Sequence, residues 1–211
     1  MANTNTPFGL KLLRGGAMYE FNSQGNLYSI PTSDSSNAYY LNDAVKLAAS
    51  GDANGVPNVV KAAGTDILLG SIQGILPVYP GVSIAGTALS LETTNIPATK
   101  AAPYYVIVAD DPSAIYAIQD DGITTGNLVA ASCNLNSSLT ITAGASTTSP
   151  SATVLLSSSF AATNTLNIHL QGLVQGDFSG VANAYGAFAK WQARLNIPYF
   201  AAMGVTGATG V

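Results

Sequence analysis

Between Trp191 and Ile197 every second residue is apolar. Trp191, Ala193, Leu195 and Ile197 alternate with Gln192, Arg194 and Asn196, the period of two that sets successive side chains on opposite faces of a strand and sends one face into a core. The stretch Thr165 to Leu170 repeats the pattern, with Leu166, Ile168 and Leu170 inward and Thr165, Asn167 and His169 outward. Leu139 and Ile141, alternating with Ser138, Thr140 and Thr142, make a shorter case. Helical spacing is scarce: only 182–191 could turn once or twice, and Gly186 weakens it.

The remaining strands announce themselves by apolar runs between turn residues. Tyr104 to Ala109 and Ile115 to Ile118 flank Asp110, Asp111 and Pro112; Pro pre-sets φ for a turn and Asp accepts backbone N–H groups, so this reads as strand, turn, strand. Asp121 and Gly122 mark another turn. Upstream, Ala44 to Ala48 and Ile67 to Ile75 read as strands, punctuated by Gly64, Gly70, Gly74, Pro77 and Pro80 too densely for a long helix. Residues 130–165 are biased toward Ser, Thr and Ala, yet Leu135, Leu139, Ile141, Val154, Leu155 and Leu156 recur in them, a loop-and-strand region. The expected fold is mainly β, a β-sandwich or β-barrel-like domain over residues 17–203 with little helix.

The two ends differ from the middle. Residues 1–16 carry one apolar cluster, Phe8, Leu10, Leu12 and Leu13, between a Thr6–Pro7 start and a Gly15–Gly16 stop, and read as an arm that finds its partner on another chain. Residues 204–211 contain only Gly, Ala, Thr and Val, a frayed tail.

Charge is scarce. Asp, Glu, Lys and Arg make up 9% of the chain, against about a quarter in an ordinary soluble domain, so the surface is uncharged polar or is covered by another protein. Eleven acidic against seven basic residues leave a net charge of -4, which lacks the electrostatic footprint of a nucleic-acid or anionic-membrane partner. No apolar run approaches the roughly 20 residues that span a bilayer, and Lys11 and Arg14 interrupt the only Leu cluster near the start, which is not the pattern of a secretory signal. With a single cysteine, Cys133, no internal disulfide is possible. These readings place folding in a reducing cytoplasm.

The search for chemistry returns little. His169 is the only histidine and stands beside Asn167 and Gln171 with no nucleophile or second ligand marked near it; it reads as a surface or interface residue. Cys133 has no electropositive setting to activate it. The pairs Asp110–Asp111 and Asp120–Asp121 fall where turns are expected, and no further oxygen ligands follow at calcium-loop spacing. Gly204, Gly207 and Gly210 lack the helix that a phosphate loop requires. The sequon Asn136–Ser137–Ser138 has no meaning without a secretory signal. The chain is therefore expected to be no enzyme, with no cofactor and no metal. Its ten tyrosines are more telling. Tyr39 and Tyr40, Tyr104 and Tyr105, Tyr79, Tyr185 and Tyr199 stand mostly near expected strand ends, where Tyr supplies contact area and a hydrogen-bonding tip; Tyr39 and Tyr40 join the arm leucines as candidate contacts.

Several short segments, taken in order, carry a resemblance: Ala2-Asn3-Thr4-Asn5-Thr6-Pro7-Phe8-Gly9-Leu10 at the start, Asn42-Asp43-Ala44-Val45-Lys46-Leu47, the Asp110-Asp111-Pro112 turn leading into Ile115-Tyr116-Ala117-Ile118-Gln119, then Asn183-Ala184-Tyr185-Gly186 and Trp191-Gln192-Ala193-Arg194-Leu195-Asn196. In this order and spacing the chain resembles the head-decoration, or capsid-cement, proteins of tailed bacteriophages. The resemblance implies a mainly β subunit, made in the bacterial host cytoplasm, that sits on the outer face of an icosahedral head as a homotrimer or dimer. There it binds the major capsid protein, clamps adjacent capsomers and stabilises the head against the pressure of packaged DNA. On that reading Phe8, Leu10, Leu12, Leu13, Tyr39 and Tyr40 contact the capsid or a sister subunit. The alternative is a β-sandwich adhesin or glycan-binding phage appendage.

Overall fold

In the computed structural model, the residues described are 3–14, 25–76, 93–123, 128–146, 149–175 and 183–199. The mainly β architecture expected from the alternating pattern is what forms. Fourteen strands are present among the described residues: β1 (Lys11–Arg14), β2 (Asn26–Ile30), β3 (Tyr39–Tyr40), β4 (Ala44–Gly51), β5 (Pro57–Lys61), β6 (Gly70–Leu76), β7 (Asn95–Ile96), β8 (Tyr104–Ala109), β9 (Ile115–Gln119), β10 (Asn136–Ser137), β11 (Leu139–Thr140), β12 (Val154–Leu155), β13 (Ile168–Leu173) and β14 (Lys190–Leu195). The only helical elements among these residues are single 3-10 turns at Ala130–Ser132 and Ser157–Ser159.

The strands build two units. β2, β5, β4, β6 and β8 close into a small barrel, and β1, β9, β14, β13 and β10 lie side by side as a five-stranded sheet. Closure of the barrel depends on one parallel contact, Ser29 against Asn58 between β2 and β5; every other pairing in it is antiparallel. Its interior is filled by Tyr28, Ile30, Val45, Val59, Leu69, Ile72, Val106 and Val108. A Cβ on Gly70 would stand 1.8 Å from the carbonyl oxygen of Ala109, so β6 can approach β8 this closely only without a side chain at that position.

The turn between Tyr104–Ala109 and Ile115–Gln119 forms where Asp and Pro place it. Asp111 Oδ1 accepts the Ser113 N–H at 2.8 Å, and the Ala114 N–H closes the turn on the Asp111 carbonyl at 3.0 Å. The strands it joins do not pair with each other, because β8 belongs to the barrel and β9 to the sheet. One short corner therefore passes the chain between units, and the outward side of the barrel packs on the sheet: Ala44, Ala62, Leu68 and Ala109 share a core with Leu12, Tyr116, Ile118, Trp191, Ala193, Leu195, Ile168 and Leu170.

Three expectations are corrected. Residues 1–16 are not a projecting arm over their described part. β1 pairs antiparallel with β9, Leu12 opposite Tyr116, and the Leu10 N–H donates to the Asn42 carbonyl at 2.9 Å, so the apolar cluster finds its partner within its own chain. The Gly15–Gly16 stop and the tail 204–211 lie outside the described residues. The helical option at 182–191 is not taken over 183–191: residues 183–189 form a bent loop and Trp191 is in β14. Asn167, expected outward, is buried and donates to the Gly64 carbonyl at 2.9 Å, tying the sheet to the barrel.

The Ser- and Thr-rich region is ordered by its own hydroxyls. Ser137, Ser138, Ser151, Thr153 and Ser157 are buried; the Ser138 N–H donates to Ser159 Oγ at 2.9 Å, Ser151 Oγ–H to Thr153 Oγ1 at 3.0 Å, and Ser157 Oγ–H to the Asp121 carboxylate. Small hydroxylated side chains satisfy buried polar groups locally, so this composition gives packed structure here.

Candidate functional site

The residues expected to contact a partner are largely internal. Leu10 is 0% exposed and Leu12 is buried with it in the sheet core, whereas Phe8 and Leu13 are half-buried. Tyr39 is also 0% exposed. Its hydroxyl donates to the Asp34 carboxylate and accepts the Lys61 backbone N–H at 3.0 Å, and two ammonium groups stand over its ring, Lys100 Nζ at 5.2 Å and Lys61 Nζ at 5.8 Å from the centroid. Burial first, then the hydrogen bond to Asp34, pushes the Tyr39 phenol far above its ordinary range. Tyr40 is half-buried under the same Lys61, 5.6 Å from its ring. Leu10, Leu12 and Tyr39 therefore have no surface to offer a partner; they hold the fold.

Apolar surface is offered elsewhere. Ile123 is 77% exposed, and Tyr185 and Tyr199 are each 44% exposed, with Ile67 and Val129 also exposed. Tyr199 and Ile67 are close neighbours, since Leu68 bridges Pro198 and the Tyr199 N–H donates to the Leu68 carbonyl at 3.0 Å. Tyr185 reaches the turn at 129–133, its hydroxyl 3.5 Å from Cys133 Sγ. The tyrosine pattern marked Tyr185 and Tyr199 but could not separate them from Tyr39 and Tyr105, which are buried. Ile123 and Val129 carried no signal, being single apolar residues beside turns, and Ile67 reads in sequence only as the start of a strand.

The paired acids are structural. Asp120 is 0% exposed and its carboxylate gathers three donors: the N–H of Gly122 at 2.9 Å, the N–H of Phe188 at 2.8 Å and the indole Nε1–H of Trp191 at 3.1 Å. Burial raises its pKa against the lowering effect of those donors. The bond to Phe188 holds that residue at φ 62°, a conformation uncommon for a bulky side chain. The result is a fixed 183–189 loop, pinned on its other side by Asn3, which donates to the Ala184 and Ala187 carbonyls at 2.8 and 3.0 Å. Asp110 accepts from Tyr28 Oη–H at 2.6 Å and from Asn26 Nδ2–H at 2.8 Å.

His169 lies on β13 with Nδ1 2.8 Å from Asn136 Oδ1, opposite Arg194 on β14. Burial, and then the Arg194 charge, hold its pKa below the ordinary histidine value. Cys133 is half-buried. Among the described residues no three His, Cys, Asp or Glu side chains gather as a metal-ion site, and no helix is long and apolar enough to cross a membrane.

No family model, curated protein or solved structure matches this chain.

Proposed function

We propose that this protein is a structural subunit of a phage virion that binds the outer face of the head, contacts the major capsid protein and its own copies, and cements neighbouring capsomers. The observation that carries the reading is where the few charges lie. Of the seven basic residues, Lys100 and Lys190 are buried, and Lys61 is nearly so, paired at 2.9 Å with a fully buried Asp43. Asp110 and Asp120 are buried as well, and Lys46 is neutralised by Asp66 at 2.7 Å. A chain with 9% charged residues thus withdraws much of that charge from its exterior, leaving Ser, Thr and Asn with scattered Tyr and Ile outside.

Neutral polar and aromatic surface is inexpensive to bury, whereas each unpaired charge taken from water costs several kcal/mol. A subunit repeated over a shell buries about 800 Å² on each partner at each contact, and a surface of this kind suits repeated burial. The order of segments that resembles head-decoration proteins supports the same reading.

The test is binding of the purified chain to undecorated heads, followed by electron microscopy of the particles. Saturable, ordered density on the outer surface is the expected result. A freely soluble monomer with no affinity for heads overturns the proposal.

A further inference from the structure

The strands of the five-stranded sheet hold four of the seven basic residues, Lys11, Arg14, Lys190 and Arg194, together with the only histidine, and contain no Asp or Glu. In a chain of net charge -4 the sheet is a cationic island. Lys190, Gln192 and Arg194 alternate with Trp191, Ala193 and Leu195 of the core, so they face the other way. On that far face the centre is covered: Ala117 and Gln119 are buried, and the Thr6 N–H and Asn5 Oδ1 bond the Gln119 amide. Toward β13 and β14 the face opens, with His169, Gln192 and Arg194 half-buried and Gln171 exposed.

His169 and Arg194 are direct cross-strand partners there, and Asn136 of β10 is the partner of His169 on its other side. Opposed side chains of an antiparallel pair stand about 5 Å apart at Cβ, and like charges so placed repel. Asn136 donates its Nδ2–H to the Thr163 carbonyl at 2.9 Å, which fixes its amide with Oδ1 as acceptor. His169 Nδ1, 2.8 Å from that oxygen, is therefore the donor, and Nε2 of the neutral ring carries the lone pair. Across the row, the Nε–H of Arg194 is buried with no hydrogen-bond partner among the described residues. Leaving such a donor unmatched is unfavourable, because its hydrogen bond to water is lost and not replaced. The 3-10 turn packed against β13, Ala130–Ser132, brings no charge to the row. No carboxylate stands on β10, β13 or β14 to answer the Arg194 charge.

We propose that His169 and Arg194 form a receptor for one carboxylate carried by a partner protein, bound by the Arg194 guanidinium and by Nε2 of a His169 that takes up a proton as the carboxylate arrives. Charge-assisted bonds of this kind are the strong ones, and arginine matches a carboxylate in shape as well as in sign. A protein carboxylate is favoured over a nucleic-acid backbone because a polyanion is held by many cations in a row, whereas here a single arginine and a histidine stand among Gln and Asn on a net acidic chain. The partner's identity as a shell subunit rests on the function proposed above; the carboxylate site itself does not.

As the chain's only histidine, His169 gives a single set of imidazole resonances. The full chain is titrated by NMR in the presence of acetate and of a tetraglutamate peptide, with chloride at matched ionic strength as the reference. The expected result is a rise of about one pH unit in the His169 titration midpoint on saturation with peptide. Binding should weaken at least tenfold in Arg194→Gln with unchanged Trp191 fluorescence. His169→Gln, a second variant, should bind with an affinity that no longer depends on pH. A midpoint that carboxylates do not move, an Arg194→Gln chain that responds like the wild type, or a response to an oligonucleotide but not to the peptide overturns the site. Head binding separates the two proposals: a wild-type chain that responds to peptide but ignores heads removes the shell reading alone, and a chain that binds heads but whose His169 midpoint no peptide moves removes the carboxylate site alone.

Discussion

Trp191 donates its indole N–H to the carboxylate of Asp120 at 3.1 Å, in a site where both residues are fully buried. The same carboxylate holds the N–H groups of Gly122 and Phe188, so one acid fixes the tryptophan, the turn after β9 and the loop before β14 together.

Asp120→Ala removes all three acceptor contacts and strands three donors. Each buried unsatisfied group costs about 1–3 kcal/mol, and loss of the buried charge offsets part of this. The expected net destabilisation is about 3 kcal/mol, measured by urea unfolding followed through Trp191, the only tryptophan.

Lys61→Met leaves Asp43 in a site of 0% exposure without its ammonium partner. Burial already raises the Asp43 carboxyl despite Lys61, Ser151 and the Tyr40 N–H acting to lower it. The variant should lose about 3–5 kcal/mol near neutral pH. Protonation of Asp43 relieves the stranded charge, so the loss should shrink as the pH is lowered; a difference in stability independent of pH would count against this account.

Leu10→Ala should cost about 2–5 kcal/mol, the range for a truncated core leucine. Deleting residues 1–14 removes β1 and Leu10 together and bares the edge of β9. That deletion should abolish cooperative unfolding in calorimetry, since the segment completes the sheet.

Gly9 and Gly55 both lie at positive φ, 73° and 79°, but their surroundings differ. A Cβ at Gly9 would stand 2.5 Å from the Asn42 carbonyl oxygen and 2.6 Å from Ser151 Cβ, whereas one at Gly55 meets nothing within 4 Å. Gly55→Ala should therefore cost only the backbone strain, about 1–2 kcal/mol, and Gly9→Ala about 3 kcal/mol or more once overpacking is added. Denaturation midpoints for the two variants provide the comparison.

The depressed pKa of His169 has a definite sign in stability. The unfolded imidazole takes up a proton near pH 6.5 while the folded one, desolvated and facing Arg194, does not until lower pH. Its stabilising contribution is present above about pH 6.5 and is lost as the pH falls from there through the folded pKa. In His169→Asn the stability profile between about pH 6.5 and 5 should be flatter than in the wild type.

Local pattern made much of this fold legible. Trp191 to Leu195, Tyr104 to Ala109 and Ile115 to Gln119 declare their faces by alternation or by a continuous buried run, and each is a strand. The pattern is silent on partners. Leu10 and Leu12 look the same in sequence whether their strand lies on another molecule or on β9, because pairing is decided by register with residues far along the chain. Barrel closure was hidden for the same reason, resting on Ser29 meeting Asn58. Asn167 was misread because its amide bonds carbonyls at Gly64 and Asp66, a contact that polarity alone cannot reveal. The candidate site was harder still: Arg194 and His169 face each other only because β13 and β14 pair in one particular register.

In the sheet, β9 runs between β1 and β14 and is antiparallel to both, which makes β1 and β14 parallel to each other. Tension applied between Lys11 and Leu195 would drag these two strands in opposite directions along β9. Their ladders would then be sheared lengthwise, every rung resisting at once, instead of being unzipped rung by rung.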